Sequence, residues 1–242
     1  MLRVYFNYVS VVHSQKQLRK RSNNMNTSTQ TPLSILVFGA TGGTGKQFVE
    51  LALAAGHRIT AIVRNPATIT QQHPNLRVVQ GDSMELNTFA AEVDGHDAVV
   101  SCLGVKKLKP TTVYSVSVAN ILKAMQGTTV KRLICISSSA IEVSPKLPWA
   151  LRMLTKYVLS RIFKHIYADT RLMEQILKQS SVDWTSVRPP RLIDKPLTGT
   201  YRYAINDYLV RCFQISRADL ACFMLDHITD TQMIRAVVEV AN

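Results

Sequence analysis

The stretch Ile35-Leu36-Val37-Phe38-Gly39-Ala40-Thr41-Gly42-Gly43-Thr44-Gly45-Lys46 constrains this chain more than any other. A short apolar run with β-branched residues leads into three glycines at the spacing G-x-x-G-x-x-G. Apolar residues then recur at Phe48, Leu51, Ala52 and Ala55. The segment reads as strand, tight turn, helix. Gly39 lets the chain leave the strand sharply, Gly42 lets the backbone approach a pyrophosphate, and Gly45 lets the helix pack close on the strand. N–H groups at the helix start then face a dianionic ligand, with the Thr41 and Thr44 hydroxyls in the same loop. Gly43 completes this candidate nucleotide-binding turn. No G-K-[ST] follows at the spacing of an ATPase loop.

Residues 57–64 read as a second strand, and its end discriminates between the two nicotinamide dinucleotides. A site for NAD places Asp or Glu there to accept from the ribose 2′-hydroxyl, whereas a 2′-phosphate calls for positive charge. This strand ends in Arg64 with no carboxylate nearby. A planar, permanently charged guanidinium suits the phosphate, so NADP(H) is the expected cofactor.

Leu76–Gln80 is the third strand, closing at Gly81-Asp82. Asp82 is either an adenine-edge contact or the cap of a helix over residues 84–93. The fourth strand, residues 97–102, is nearly continuous in apolar residues, as a sheet covered on both faces requires. Leu103 and Gly104 then open the cleft where strand order should reverse. A helix follows from about residue 111. Ser137-Ser138-Ser139 lies at the carboxyl end of the fifth strand, residues 131–136, where it is either a simple turn or part of a site. The sixth strand, residues 183–187, ends at Arg188-Pro189-Pro190, because two prolines cannot continue a central strand. Short strands are expected at 200–203 and 209–213, then a capping box at Ser216-Arg217-Ala218-Asp219, with residues 234–240 closing the sheet. This order implies an α/β chain: a Rossmann-type, doubly wound parallel sheet with helices on both faces, in a single domain over residues 34–242.

Residues 145–179 give a strongly basic amphipathic helix in which Trp149, Leu151, Leu154, Val158, Leu159, Ile162 and Phe163 alternate with Arg152, Lys156, Arg161 and Lys164. A helix on a membrane surface has this composition. The preferred reading is a lid or crossover helix over the substrate pocket or a neighbouring subunit.

With 242 residues, 46% of them hydrophobic and 19% charged, the chain has the composition of a globular domain with a full core. It has no apolar run of about 18 residues. The net charge of +13 raises nucleic acid and anionic membranes as partners. That charge is scattered, and no recognition helix, zinc pattern or aromatic RNA-binding motif accompanies it. A polyanionic cofactor and acidic small substrates are therefore expected, with neither nucleic acid nor membrane as partner, in a monomer or homodimer. Cys102, Cys135, Cys212 and Cys222 lack C-x-x-C spacing, which implies structural thiols, no metal site and a reducing compartment.

Residues 1–33 form a distinct extension. Arg3, Lys16, Arg19, Lys20 and Arg21 are basic, no acidic residue occurs, and residues 22–30 are rich in Ser, Thr and Asn. An organelle-targeting peptide, a solvated tail and a lead-in to a true start at Met25 all remain open. The expected location is cytoplasmic unless the first holds.

Several motifs together resemble one family. The glycine loop, Arg64, Gly81-Asp82, Leu103-Gly104, Lys109-Pro110-Thr111-Thr112, Arg188-Pro189-Pro190, Asp194-Lys195-Pro196-Leu197-Thr198-Gly199-Thr200-Tyr201 and Ile215-Ser216-Arg217-Ala218-Asp219-Leu220 stand in collinear order over residues 34–230. They resemble the atypical short-chain dehydrogenase/reductases with an NmrA-like NAD(P)-binding fold, and within them the NADPH-dependent flavin reductases, also known as biliverdin IXβ reductases. The resemblance implies hydride transfer from NADPH to a planar conjugated acceptor, a flavin such as FMN or FAD serving as substrate, or a bilin. It places the active-site serine at Ser138, substrate contacts at Thr170, Pro190 and Arg191, and a further cofactor contact at Pro189.

Two departures qualify it. The family's pocket histidines fall on Thr170 and Arg191, and no Tyr-x-x-x-Lys pair follows the fifth strand, since Tyr157 is followed by Arg161 and Tyr167 by Arg171. Reducing a ketone needs a general acid at the developing alkoxide. A flavin or bilin spreads the incoming charge and can take its proton from water, so the chain argues against an ordinary ketone reductase. The rival expectation is an NmrA-like NADP(H) sensor with little or no turnover.

Overall fold

The computed structural model describes residues 31–105 and 108–242. Of the extension expected over residues 1–33, all but the last three residues lie outside them. The strands are β1 (Ser34–Phe38), β2 (Arg58–Val63), β3 (Leu76–Gln80), β4 (Ala98–Ser101), β5 (Arg132–Ile136), β6 (Asp183–Arg188), β7 (Arg191–Ile193), β8 (Arg202–Ile205), β9 (Gln214–Ser216) and β10 (Ala236–Ala241). Among the described residues an eight-stranded sheet has the order β3-β2-β1-β4-β5-β6-β10-β8, and β7 pairs with β9 in a separate two-stranded sheet. All neighbours in the large sheet are parallel except β8, which runs antiparallel to β10 at the edge. The expected Rossmann-type parallel sheet is thus present.

The apolar strand runs follow from burial on both faces. Ile35 and Val37 of β1 join the core beneath α1 (Gly43–Ala54) and α5 (Arg217–Asp226), with Phe48, Leu220 and Phe223. Leu36 and Phe38 point the other way, into the core beneath α2 (Val113–Met125) and α4 (Lys164–Gln179), with Ile121, Leu133 and Leu177. Between β5 and α4 the chain forms α3 (Trp149–Leu154), a π-turn (Thr155–Leu159) and a helical turn (Ser160–Ile162).

Four expectations are corrected. Residues 84–93 are not a helix but two 3-10 turns, Leu86–Thr88 and Ala90–Glu92. Tertiary packing overrides local propensity here: Phe89, at φ −142, is buried edge-on against Phe38 with ring centroids 4.9 Å apart, a contact worth about 0.5–1.5 kcal/mol beyond its burial. Residues 209–213 are a turn, with Arg211 at φ 56 and the Arg202 guanidinium donating to the carbonyls of Val210 (2.9 Å) and Arg211 (3.1 Å). The expected strand at 200–203 lies two residues later, as β8, and it is β8 rather than β10 that forms the sheet edge.

The capping box is only half formed. Ser216 Oγ accepts from the Asp219 N–H at 2.9 Å, but the Ser216 N–H goes to Asn242 Oδ1 at 2.8 Å. The Asp219 carboxylate takes the Ser216 hydroxyl at 2.8 Å and is held as well by the N–H groups of Thr198 and Gly199, each at 2.8 Å, and by the Thr198 hydroxyl at 2.9 Å. Burial opposes its charge, yet these bonds hold its pKa below the usual aspartate value. The motifs Asp194–Tyr201 and Ile215–Leu220 therefore bind each other, fixing the loop after β7 to the start of α5.

Candidate active site

The carboxyl ends of β1, β2 and β4 open on a cleft of ≈ 620 Å³. It lies where β1 is flanked by β2 on one side and β4 on the other, the point at which strand order reverses. Gly39 takes φ +76, and a Cβ there would sit 2.6 Å from the Cys102 carbonyl oxygen. A Cβ on Gly45 would lie 2.1 Å from the Gly39 carbonyl oxygen, so the start of α1 rests directly on the turn. Helix α1 has no side-chain cap at Gly42 and no acidic residue in its first turn. Its leading N–H groups are thus available to an anion, and a glycine floor lets one approach. This arrangement fits a dinucleotide pyrophosphate.

Gly39, Thr41, Gly42, Arg64, Asp82, Leu103 and Gly104 all line the cleft. Arg64 is exposed at the end of β2, as a 2′-phosphate contact requires. Asp82 caps no helix; its Oδ1 accepts the Met84 N–H at 2.9 Å in a local turn. Lys109 also lines the cleft and adds a second cation, which the sequence reading carried only inside a motif. Thr44 and Gly45 are buried in the start of α1, and Gly43 lies beneath the Arg217 side chain. Pro189 is buried, its carbonyl accepting the Ser139 N–H at 3.0 Å. These four shape the turn and the serine loop and are not among the residues lining the cleft.

Strand β5 neighbours β4 and ends in a second cavity of ≈ 530 Å³. Ser138, Ser139, Pro190 and Arg191 line one side, and Leu151, Leu159, Phe163 and Tyr167 cover it. The segment after β5 thus forms a lid over this cavity. Ser138 Oγ accepts from the Ala140 N–H at 3.3 Å, and a hydroxyl that accepts one bond keeps its proton for another partner. Thr170 does not reach the cavity: it is buried in α4, its hydroxyl donating to the Ile166 carbonyl at 2.7 Å. Of the two positions aligned with family histidines, only Arg191 faces the pocket.

The serine loop is anchored from below. Glu174 Oε1 accepts from the hydroxyls of Ser137 and Ser186, both at 2.7 Å, and from Arg188 Nε at 2.9 Å. Arg188 also donates to both oxygens of Glu142, at 2.8 and 3.0 Å. Burial works against the Arg188 charge, but the bonds to Glu174 and Glu142 outweigh it and raise its pKa.

Glu239 is a residue that sequence reasoning missed. It lines this cavity from β10, is only 2% exposed, and has Oε1 without a hydrogen-bond partner among the described residues, while Oε2 accepts the Leu209 N–H at 2.7 Å. Burial raises its carboxyl pKa. The signal was present, since a carboxylate interrupts the otherwise apolar Ala236-Val237-Val238-Glu239-Val240-Ala241. The Cys212 thiol, also in the wall, is pushed up to about 12 by burial and by the charge of Glu239, so it stays protonated.

The sequence model of a family described as NAD(P)H-binding matches residues 39–231. An uncharacterised chloroplastic protein of Arabidopsis thaliana is 28% identical over 176 residues, covering 68% of this chain and 61% of that protein's own length. Two solved structures share the fold. A short-chain dehydrogenase/reductase from Veillonella parvula in complex with NADP superposes with TM-score 0.71 at 20% identity, over 87% of this chain and 94% of that one. A candidate NADH-flavin reductase from Streptococcus pneumoniae gives 0.67 at 22% identity, over 87% and 99%. At these identities the likeness is one of fold.

Proposed function

The chain belongs to the NAD(P)H-binding family whose sequence model it matches, and on that premise we propose that it is an NADPH-dependent reductase of planar conjugated acceptors, flavin or bilin in kind. One observation carries this reading: adjacent strands β4 and β5 end in two cavities of different character, a glycine-floored cleft bearing Arg64 and Lys109 and an apolar cavity bearing Ser138.

In that reading the dinucleotide supplies the hydride. Arg64 and the start of α1 hold its phosphates, the strand ends set the distance between the two rings, and such positioning provides much of the catalysis. Ser138 donates a hydrogen bond to the acceptor. Arg191, exposed at the rim, steers phosphate or propionate groups. Glu239, whose carboxyl burial shifts toward the protonated form, is a proton source that the sequence did not reveal. The test is NADPH oxidation with FMN, riboflavin and biliverdin, followed by absorbance. Tight NADPH binding without turnover of any acceptor would sink the proposal.

That negative outcome would favour an NADP(H)-sensing protein. The observation on its side is that no tyrosine acid pair is assembled among the described residues: Tyr157 is exposed, and the Arg171 that follows Tyr167 is tied to the Ile141 carbonyl.

A further inference from the structure

Between Glu142 and Asp169 the sequence contains no acidic residue, yet it carries Lys146, Arg152, Lys156, Arg161 and Lys164. The lid in this stretch has two apolar sides. Leu151, Thr155, Leu159 and Phe163, spaced four apart, line the cavity. Trp149, Met153 and Tyr157, and beside them Leu154, Val158 and Ile162, repeat the same spacing on the other side. They are open to solvent, Trp149 at 75% and Ile162 at 49%. Single exposed apolar residues need no explanation, but six on successive turns form a patch, and a patch of that kind marks an interaction surface.

From this we infer that the outward face of residues 149–162 docks on an anionic lipid surface, lying in the plane of the interface. The charge pattern selects that occupant. Lys146 is paired with Asp207 at 2.6 Å, but Arg152, Lys156, Arg161 and Lys164 form no ion pair with any described residue. A second copy of this chain would bring cations of the same sign against them, a repulsive arrangement. Anionic headgroups complement them instead, each cation contributing on the order of fivefold in affinity. Tryptophan and tyrosine suit the headgroup boundary, and the long stems of Arg and Lys keep their charges in water while the apolar rows sink. Among the described residues no helix is long and apolar enough to cross a membrane, so the element lies on the bilayer. Leu154 belongs both to the exposed patch and to the cavity wall, so docking would set the pocket mouth against the lipid. The docking itself does not depend on which acceptor is reduced.

The experiment uses the full chain with vesicles of phosphatidylcholine alone and of equimolar phosphatidylcholine and phosphatidylserine. The expected result is co-sedimentation with the second only, reduced by salt, and a blue shift of tryptophan emission. Trp149→Phe should abolish the shift, because the remaining Trp184 is buried. A triple variant Arg152→Glu, Lys156→Glu, Arg161→Glu should lose vesicle binding at least tenfold, while Ile162→Ser weakens it with the charges intact. Unchanged NADP⁺ binding and melting temperature establish that both variants are folded. Absence of co-sedimentation, equal binding to neutral vesicles, undiminished binding of the triple variant, or burial of Trp149 in a concentration-dependent dimer without lipid would each overturn the inference. NADPH oxidation without vesicles reports on the reductase separately.

Discussion

Glu174 and Arg188 meet at the buried junction of α4 and β6, with Arg188 Nε 2.9 Å from Glu174 Oε1 and both side chains at most 5% exposed. The same carboxylate oxygen takes the Ser137 and Ser186 hydroxyls, so one ion pair ties the ends of β5 and β6 to the helix beneath them. Ser138 is the next residue in the chain.

Removing Arg188 leaves the Glu174 charge buried and uncompensated, which costs about 3–5 kcal/mol, whereas Arg188 without Glu174 keeps its bonds to Glu142. Arg188→Met should lose stability of that order by denaturant unfolding and Glu174→Gln less, and each should lower turnover through the displaced serine loop. A loss below about 1 kcal/mol in both would show that the pair does not hold this junction.

The glycine loop gives a contrast between neighbours. A Cβ at Gly45 meets the Gly39 backbone carbonyl, which cannot move without opening the turn, whereas a Cβ at Gly43 meets only the Arg217 side chain, at 2.6 Å. Gly45→Ala should therefore cost about 1–3 kcal/mol or more and abolish NADP⁺ binding in a calorimetric titration. Gly43→Ala should keep binding within a few-fold as Arg217 swings aside. Equal effects would mean that the loop tolerates or rejects both for some other reason.

Much of this was legible in the sequence for an identifiable reason. Strands covered on both faces must be apolar throughout, so β1, β4 and β5 stand out, and the glycine spacing marks the turn beside them. Phe89 and Arg211 were not legible, because a long-range ring contact and a guanidinium from β8 decide their backbone angles. Glu174 and Glu239 left a detectable trace, each a carboxylate on a face that its neighbours bury. Thr170 was carried over by alignment alone, and its position on the helix turns it toward the Ile166 carbonyl. For the lid, periodicity showed apolar rows but not which row the fold leaves uncovered.

In the proposed reading Arg64 sets the cofactor choice. A hydrogen bond to a charged group contributes about 1.5–3 kcal/mol, so Arg64→Ala should weaken NADPH by about 10- to 150-fold and leave NADH almost unchanged, as read from paired fluorescence titrations. An unaltered preference would transfer phosphate recognition to Lys109, the other cation lining the cleft.

Glu239 makes the pH dependence specific. Burial raises its pKa above the ordinary value of 4.5, so folding favours the neutral acid. The stability this provides is complete below the unfolded value and is lost as pH rises through the higher folded value. Glu239→Gln keeps an acceptor for the Leu209 N–H and removes the ionisation. The two proteins should therefore melt alike near about pH 4, with the variant increasingly the more stable toward about pH 8. If Glu239 also delivers the proton, wild-type turnover falls over the same interval, and the variant is slower with a flattened profile and unchanged NADPH affinity. A melting difference that does not vary with pH would show that Glu239 is not held as a neutral acid, and a pH profile that survives the substitution would assign the proton to solvent.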